Sequence, residues 1–289
     1  MRYTVTHITT YHYQEAVAVS HNLVHLGPRD LPYQQVLGHR LNVSPEPTVF
    51  HRSQDYFGNR SAKITVQSPH RELVVTATTT IERTQPPIPD PALTPPWEAI
   101  ADTVRRADLV ELLPVVEFAY PSELVPADSG FREFAEPSFT PERPILEAAA
   151  DLSHRIYSEF TFDTKATTAT TPVQDALRRK RGVCQDFALI LIGALRSMGI
   201  PARYVSGYLE TTPPPGRPRL VGADASHAWA QVWCGEDWVD LDPTNDCVPG
   251  ERHLTVAFGR DFADVSPMRG MILGGGQATV RVSVDVMRL

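Results

Sequence analysis

Only three cysteines occur in the 289 residues, and no two of them form a CxxC pair. That excludes a disulfide-stapled scaffold and a cysteine-rich structural zinc site. A basic excess is missing too: the formal net charge is −7, which leaves neither nucleic acid nor an anionic membrane surface an electrostatic footprint to bind. No stretch approaches the roughly 20 consecutive apolar residues of a membrane-spanning helix. The opening Met1-Arg2-Tyr3-Thr4-Val5-Thr6-His7 lacks the apolar core and cleavage pattern of a secretory leader. No calcium loop of spaced Asp and Asn ligands is present, and Gly274-Gly275-Gly276 is not followed by the Lys-Ser or Lys-Thr of a phosphate loop. What remains is 42% hydrophobic and 21% charged, ordinary for a globular chain long enough for two modest units. The expectation is a cytoplasmic protein with reduced thiols and no cofactor, metal, nucleic-acid or membrane partner.

The first part, residues 1–85, reads as β-rich. Ile64-Thr65-Val66 and the run from Leu73 to Ile81 are β-branched, and Gly58-Asn59 marks a turn between strands. A small sandwich-like unit is expected here. Residues 86–143 form a connector in which Pro86, Pro87, Pro89, Pro91, Pro95 and Pro96 forbid regular structure at its start, with short helical pieces after them. Residues 144–289 form the second unit. Ile145, Leu146, Ala149, Leu152, Ile156 and Phe160 recur at helical spacing. Thr171-Pro172-Val173-Gln174 reads as a capping box with proline at the first helical position. A further helix is expected from Cys184 to Met198, stopped by Gly199 and Pro201. Strands follow at Arg203–Leu209, His227–Trp233 and Trp238–Leu241, with Thr279–Val286 as a fourth strand of the same sheet and Leu254–Ala257 as an addition to it. Helices first and an antiparallel sheet second make an α+β architecture.

Cys184 opens its helix, where unpaired peptide N–H groups and the helix dipole favour a thiolate. Downstream, His227 begins a strand and Asp242 ends one. A thiol, an imidazole that moves its proton and a carboxylate that orients the imidazole are the parts of nucleophilic acyl transfer. Singly, each has a plainer reading: a small buried hydrophobe, a structural histidine beside Trp229, and a turn former before Pro243. Together and in order they point to a site.

Gly182-Val183-Cys184-Gln185-Asp186-Phe187-Ala188, Met198-Gly199-Ile200-Pro201-Ala202-Arg203, His227-Ala228-Trp229 and Trp238-Val239-Asp240-Leu241-Asp242-Pro243-Thr244-Asn245 resemble the bacterial transglutaminase-like superfamily. The likeness covers roughly residues 145–245. Asp55-Tyr56-Phe57-Gly58-Asn59 looks like the β domain that precedes the core in such proteins, and His253–Asp261 with Asp264–Gly270 is similar to the same subgroup. The resemblance implies a papain-like core with Cys184, His227 and Asp242 as the catalytic triad. It also implies a thioester formed from a peptide or protein amide and resolved by water or by an amine acceptor. Deglycosylating relatives are less alike, because their zinc-binding cysteines are missing.

Around the triad, the backbone N–H of Cys184 is one expected oxyanion donor and Gln185 a candidate for the second. Asp186 reads first as a first-turn acid and second as a substrate contact. Tyr204, Tyr208 and Asp224 are candidates for the cleft rim, against packing or solvation. Trp229, Trp233 and Trp238 read as core. Arg260-Asp261 with Asp264–Arg269 reads as a surface ion pair before a lid over the site. Cys234 and Cys247 are expected to stay unpaired. A metal site combining His227, His253 and a cysteine lacks regular ligand spacing. The rival reading, from another class, is a binding or assembly module that kept the fold without the chemistry.

Overall fold

The computed structural model describes residues 1–106, 110–168, 170–211 and 226–289. Five strands open the chain: β1 (Arg2–Gly27), β2 (Gln34–Ser44), β3 (Val49–Gln54), β4 (Arg60–Val66) and β5 (His70–Arg83). Tyr3, Val5, His7 and Thr9 are buried in β1 while the residues between them are not, the period of two that a half-buried strand requires. In β5 the same alternation buries Leu73, Val75, Ala77, Thr79 and Ile81.

After the proline-rich stretch come α1 (Trp97–Arg106), α2 (Leu113–Val116), α3 (Ser129–Ala135) and α4 (Ile145–Glu159). The short β6 (Thr161–Phe162) follows, then α5 (Val173–Arg179), β7 (Arg181–Gly182) and α6 (Cys184–Ser197). The chain ends with β8 (Ala202–Leu209), β9 (Ser226–Trp233), β10 (Trp238–Leu241), β11 (His253–Gly259), α7 (Phe262–Val265), β12 (Met268–Gly274) and β13 (Ala278–Arg288).

Among the described residues the larger sheet has seven antiparallel strands. The first half of β1 pairs with β5 and β13, its second half with β4 and β12, and β2 and β3 lie outside β5 and β4. The register breaks between His12 and Val17. β2 and β3 are far apart in strand order, yet His39 and Leu41 of one and Arg52 and Ser53 of the other line a single cavity of about 590 Å³. The sheet therefore curls over on itself, which gives the N-terminal unit its sandwich-like form.

Sequence reading placed the closing strand in the second sheet. The structure corrects this: β13 runs beside β1, Tyr3 against Arg288 through Tyr13 against Ala278. Gly274, Gly275 and Gly276 all have positive φ and turn the chain from β12 into β13.

The second sheet has the order β10-β9-β8-β11. Against it lies α6, buried from Asp186 to Arg196, with Phe131 of α3 seated where Gly193 has no side chain. Helices packed on one antiparallel sheet are the expected α+β core. Thr171 forms no cap, however: Pro172 itself occupies the cap position of α5, and the Thr171 hydroxyl accepts from the Thr168 N–H instead.

Two side-chain amides join the sheets. Gln34 donates to the Thr255 carbonyl (2.7 Å) and accepts from its N–H (2.9 Å). Asn59 does the same with Phe258, at 2.9 and 3.0 Å. Both pairs fall on β11, an edge strand whose outer peptide groups would otherwise stand unpaired.

Candidate active site

The nucleophile candidate is placed by a helix cap. Asp186 Oδ2, in the first turn of α6, accepts from the Val183 N–H (2.8 Å) and the Thr167 hydroxyl (2.6 Å). A side chain on Gly182 would put its Cβ 2.5 Å from that oxygen, so Gly182 is needed for the carboxylate to fold back. Asp186 is buried in the first turn of α6, the first-turn acid that the sequence implies, and its bond to the Val183 N–H makes it a cap as well. Cys184 is half-buried at the helix start with its sulfur in no disulfide, and Gln185 is half-buried beside it.

His227 lies at the beginning of β9, opposite Gly207 of β8. A Cβ on Gly207 would come within 2.4 Å of both the Trp229 ring and the Leu254 carbonyl, so the indole that flanks His227 occupies that space. His227 Nε2 donates to Asp242 Oδ2 at 2.7 Å. Burial disfavours the charged ring, yet hydrogen bonds to Asp242 and Cys184, with their charges, lift His227 to about 9. With Nε2 engaged, Nδ1 is the nitrogen left for the sulfur.

Asp242 follows β10 in a turn closed by the Asp242 and Cys247 backbones. It is fully buried. Its Oδ1 accepts from the N–H groups of Thr244 (2.9 Å) and Asn245 (3.2 Å). Its Oδ2 accepts from His227, from Asn245 Nδ2 (2.7 Å) and from His253 Nε2 (3.1 Å). Burial alone would raise this carboxyl, but the bonds from His227 and His253, the His227 charge and Asn245 hold it well below the usual carboxylate range.

The structure thus brings Cys184, His227 and Asp242 together from one helix start and two neighbouring strands. It adds Asn245 and His253, which sequence reading did not connect to the carboxylate. Of the metal candidates, His227 and His253 do converge, with Asp242 rather than a cysteine, and the three donor atoms lie within 4.8 Å of one another. Both ring nitrogens already point at the same oxygen, so an ion there would have to break those bonds.

Tyr204 is buried, not at a rim. Burial, then the charges of Cys184, Asp186 and Asp261, push its hydroxyl well above 10. Tyr208 is buried as well, its hydroxyl 3.0 Å from His7 Nδ1. Asp224 lies outside the described residues. Trp229 is core, its N–H donating to Asp240 at 2.6 Å. Arg260 pairs with Asp264, and Asp261 caps α7 while accepting from the Leu124 N–H. Cys184, Cys234 and Cys247 are all free. No helix among the described residues is long and apolar enough to cross a membrane.

Known proteins resemble the chain in both its N-terminal region and its core. Residues 3–82 match the bacterial transglutaminase-like N-terminal region, and residues 132–243 match the transglutaminase-like superfamily core. An uncharacterized Mycobacterium bovis protein is 42% identical over 99% of this chain and 92% of its own length. A protein-glutamine gamma-glutamyltransferase of Pseudomonas aeruginosa is 33% identical over 44% of this chain and 21% of its own. In three dimensions, a Cytophaga hutchinsonii protein provisionally named a cysteine protease superposes with a TM-score of 0.77 at 20% identity, over 99% of this chain and 90% of that one. This chain belongs to the transglutaminase-like superfamily and carries that superfamily's bacterial N-terminal region.

Proposed function

We propose that the protein is a cysteine-nucleophile acyl-transfer enzyme acting on amide or peptide bonds, with Cys184, His227 and Asp242 as its triad. The observation that carries this is His227 itself, hydrogen-bonded to Asp242 at 2.7 Å and, despite its burial, held protonated to about 9 by Asp242 and Cys184. At neutral pH the ring is charged, as a thiolate–imidazolium pair requires. In the first half-reaction the sulfur adds to the amide carbonyl carbon. The Cys184 N–H, with Gln185 as candidate second donor, holds the oxyanion. His227 then passes its proton to the departing amine nitrogen as the C–N bond breaks, leaving a thioester. Asp242 stabilises the charged ring and fixes its orientation.

In the second half-reaction water attacks the thioester, His227 takes its proton, and the carboxylic acid leaves as the S–C bond breaks. We favour hydrolysis because amine transfer needs an acceptor site that excludes water. The second reading is transfer to a primary amine, which the name of the Pseudomonas relative supports. The substrate in either case is a peptide or protein amide. A reducing cytoplasm suits a site built on a free thiol.

Intact-mass spectrometry after incubation with glutamine-containing peptides, with and without a primary amine, tests this. Cleavage or deamidation that vanishes in Cys184→Ala supports the hydrolase, and amine incorporation supports the transferase. No product, with a Cys184 thiol no more reactive than free cysteine, leaves a binding module.

A further inference from the structure

Asp242 Oδ2 is shared by two imidazoles. His253 opens β11 and lies beside His227, its Nε2 3.1 Å from the same oxygen that receives His227 at 2.7 Å. Its ring stands edge-on to Trp229, 5.3 Å between centroids, and 6.0 Å from His227. His253 is buried, and its Nδ1 has no hydrogen-bond partner among the described residues. That nitrogen tolerates burial better as a bare lone pair than as an N–H, so the ring carries its proton on Nε2, aimed at Asp242. The titratable groups around it are Asp242 and His227, with Cys247, Glu251 and Arg252 lining a cavity that His253 borders.

We propose that His253 is a positioning residue for the triad: its Nε2–H fixes the Asp242 carboxylate in the orientation that receives His227. This rests on the acyl-transfer reading above. β11, which carries His253, is fastened to the curled N-terminal sheet through Gln34 at Thr255 and Asn59 at Phe258. The N-terminal sheet thereby braces the carboxylate end of the triad. The His253 ring touches no reacting atom and acts only through Asp242.

The test compares His253→Gln with His253→Asn in the full-length chain. Glutamine reaches far enough for its amide to donate to Asp242, and asparagine is polar but too short. The readout is the pH profile of iodoacetamide alkylation at Cys184, followed by peptide mass spectrometry so that Cys234 and Cys247 do not contribute. Loss of one hydrogen bond to a charged group predicts that His253→Asn reacts roughly ten-fold more slowly at pH 6.5, with its acid limb moved to higher pH. His253→Gln should stay near the wild-type profile. Equal profiles for the two variants overturn the proposal, whatever happens to their melting temperatures. If wild-type Cys184 is no faster than free cysteine, and His227→Ala changes nothing, the acyl-transfer reading itself fails.

Discussion

Replacing Asp242 by asparagine should move the titration of His227 further than any other single change in the site. The ring is buried, which works against its charged form, and is nevertheless held protonated to about 9 by Asp242 and Cys184. A rise from the ordinary 6.5 to that value corresponds to roughly 3 kcal/mol, at about 1.4 kcal/mol for each pH unit. Because the folded value lies above the unfolded one, this contribution is complete below pH 6.5 and is lost as the pH rises through about 9. Asp242 has the opposite sign. Its folded value is depressed, so its contribution is present above the ordinary 3.8 and lost as the pH falls through the folded value. The asparagine variant would leave His227 buried without its carboxylate, and the ring should drop by roughly two pH units. NMR titration of the His227 Cε1–Hε1 signal in both proteins measures that drop. Urea unfolding at pH 6 and pH 9.5 measures its consequence: the advantage of wild type over Asp242→Asn should shrink by about 2–3 kcal/mol between the two. Free energies that run parallel, or an Asp242→Asn protein whose His227 still titrates near 9, would refute the account.

Gly182→Ala drives a methyl group to within 2.5 Å of Asp186 Oδ2 and 2.8 Å of its Cβ. It should cost about 1–3 kcal/mol in thermal unfolding and slow Cys184 alkylation; a variant unchanged in both would show that the cap does not place the thiol. Asn59→Ala removes both bonds to Phe258, the side-chain bond to Asp55 and the bond that Asn59 Oδ1 accepts from Arg29. A loss of about 1–3 kcal/mol is expected by urea denaturation, and a loss of a few tenths would mean the edge of β11 finds other partners. Gly207→Ala places a Cβ 2.4 Å from the Leu254 carbonyl and the Trp229 ring. Neither neighbour can yield cheaply, so the soluble yield should collapse, and a melting temperature near wild type would contradict the packing described.

What sequence reading located well is local. A Gly-Val-Cys-Gln-Asp start encodes its own cap, because Asp186 reaches back within its own turn to the Val183 N–H. The helix from Ile145 declares itself by period, and the strands around Trp229 and Trp238 as short runs buried almost throughout. What it missed is long-range. Alternation in Thr279–Val286 shows that a strand has one favoured face but says nothing about which strand lies beside it, so β1 at the opposite end of the chain went unseen as its partner. Gly58-Asn59 announces a turn, and Gly58 does turn with φ +74°. The buried Asn59 amide meanwhile mimics a peptide group for β11, a role that no neighbouring residue signals.

Asp242 shows why the surroundings of the site extend so far from the triad. An ionised carboxylate with no solvent exposure is tolerated only if donors replace the water it has lost. Its own turn supplies the Thr244 and Asn245 N–H groups and the Asn245 amide, and β9 supplies His227. The remaining donor comes from His253, on a strand whose outer edge is paired to the first sheet by Gln34 and Asn59. All of these donors lie in the second unit, and the strand that carries one of them is fastened to the first sheet. The proposed triad assembled from the second unit alone would keep its three residues and His253, and would lose the Gln34 and Asn59 bonds that anchor the strand carrying His253.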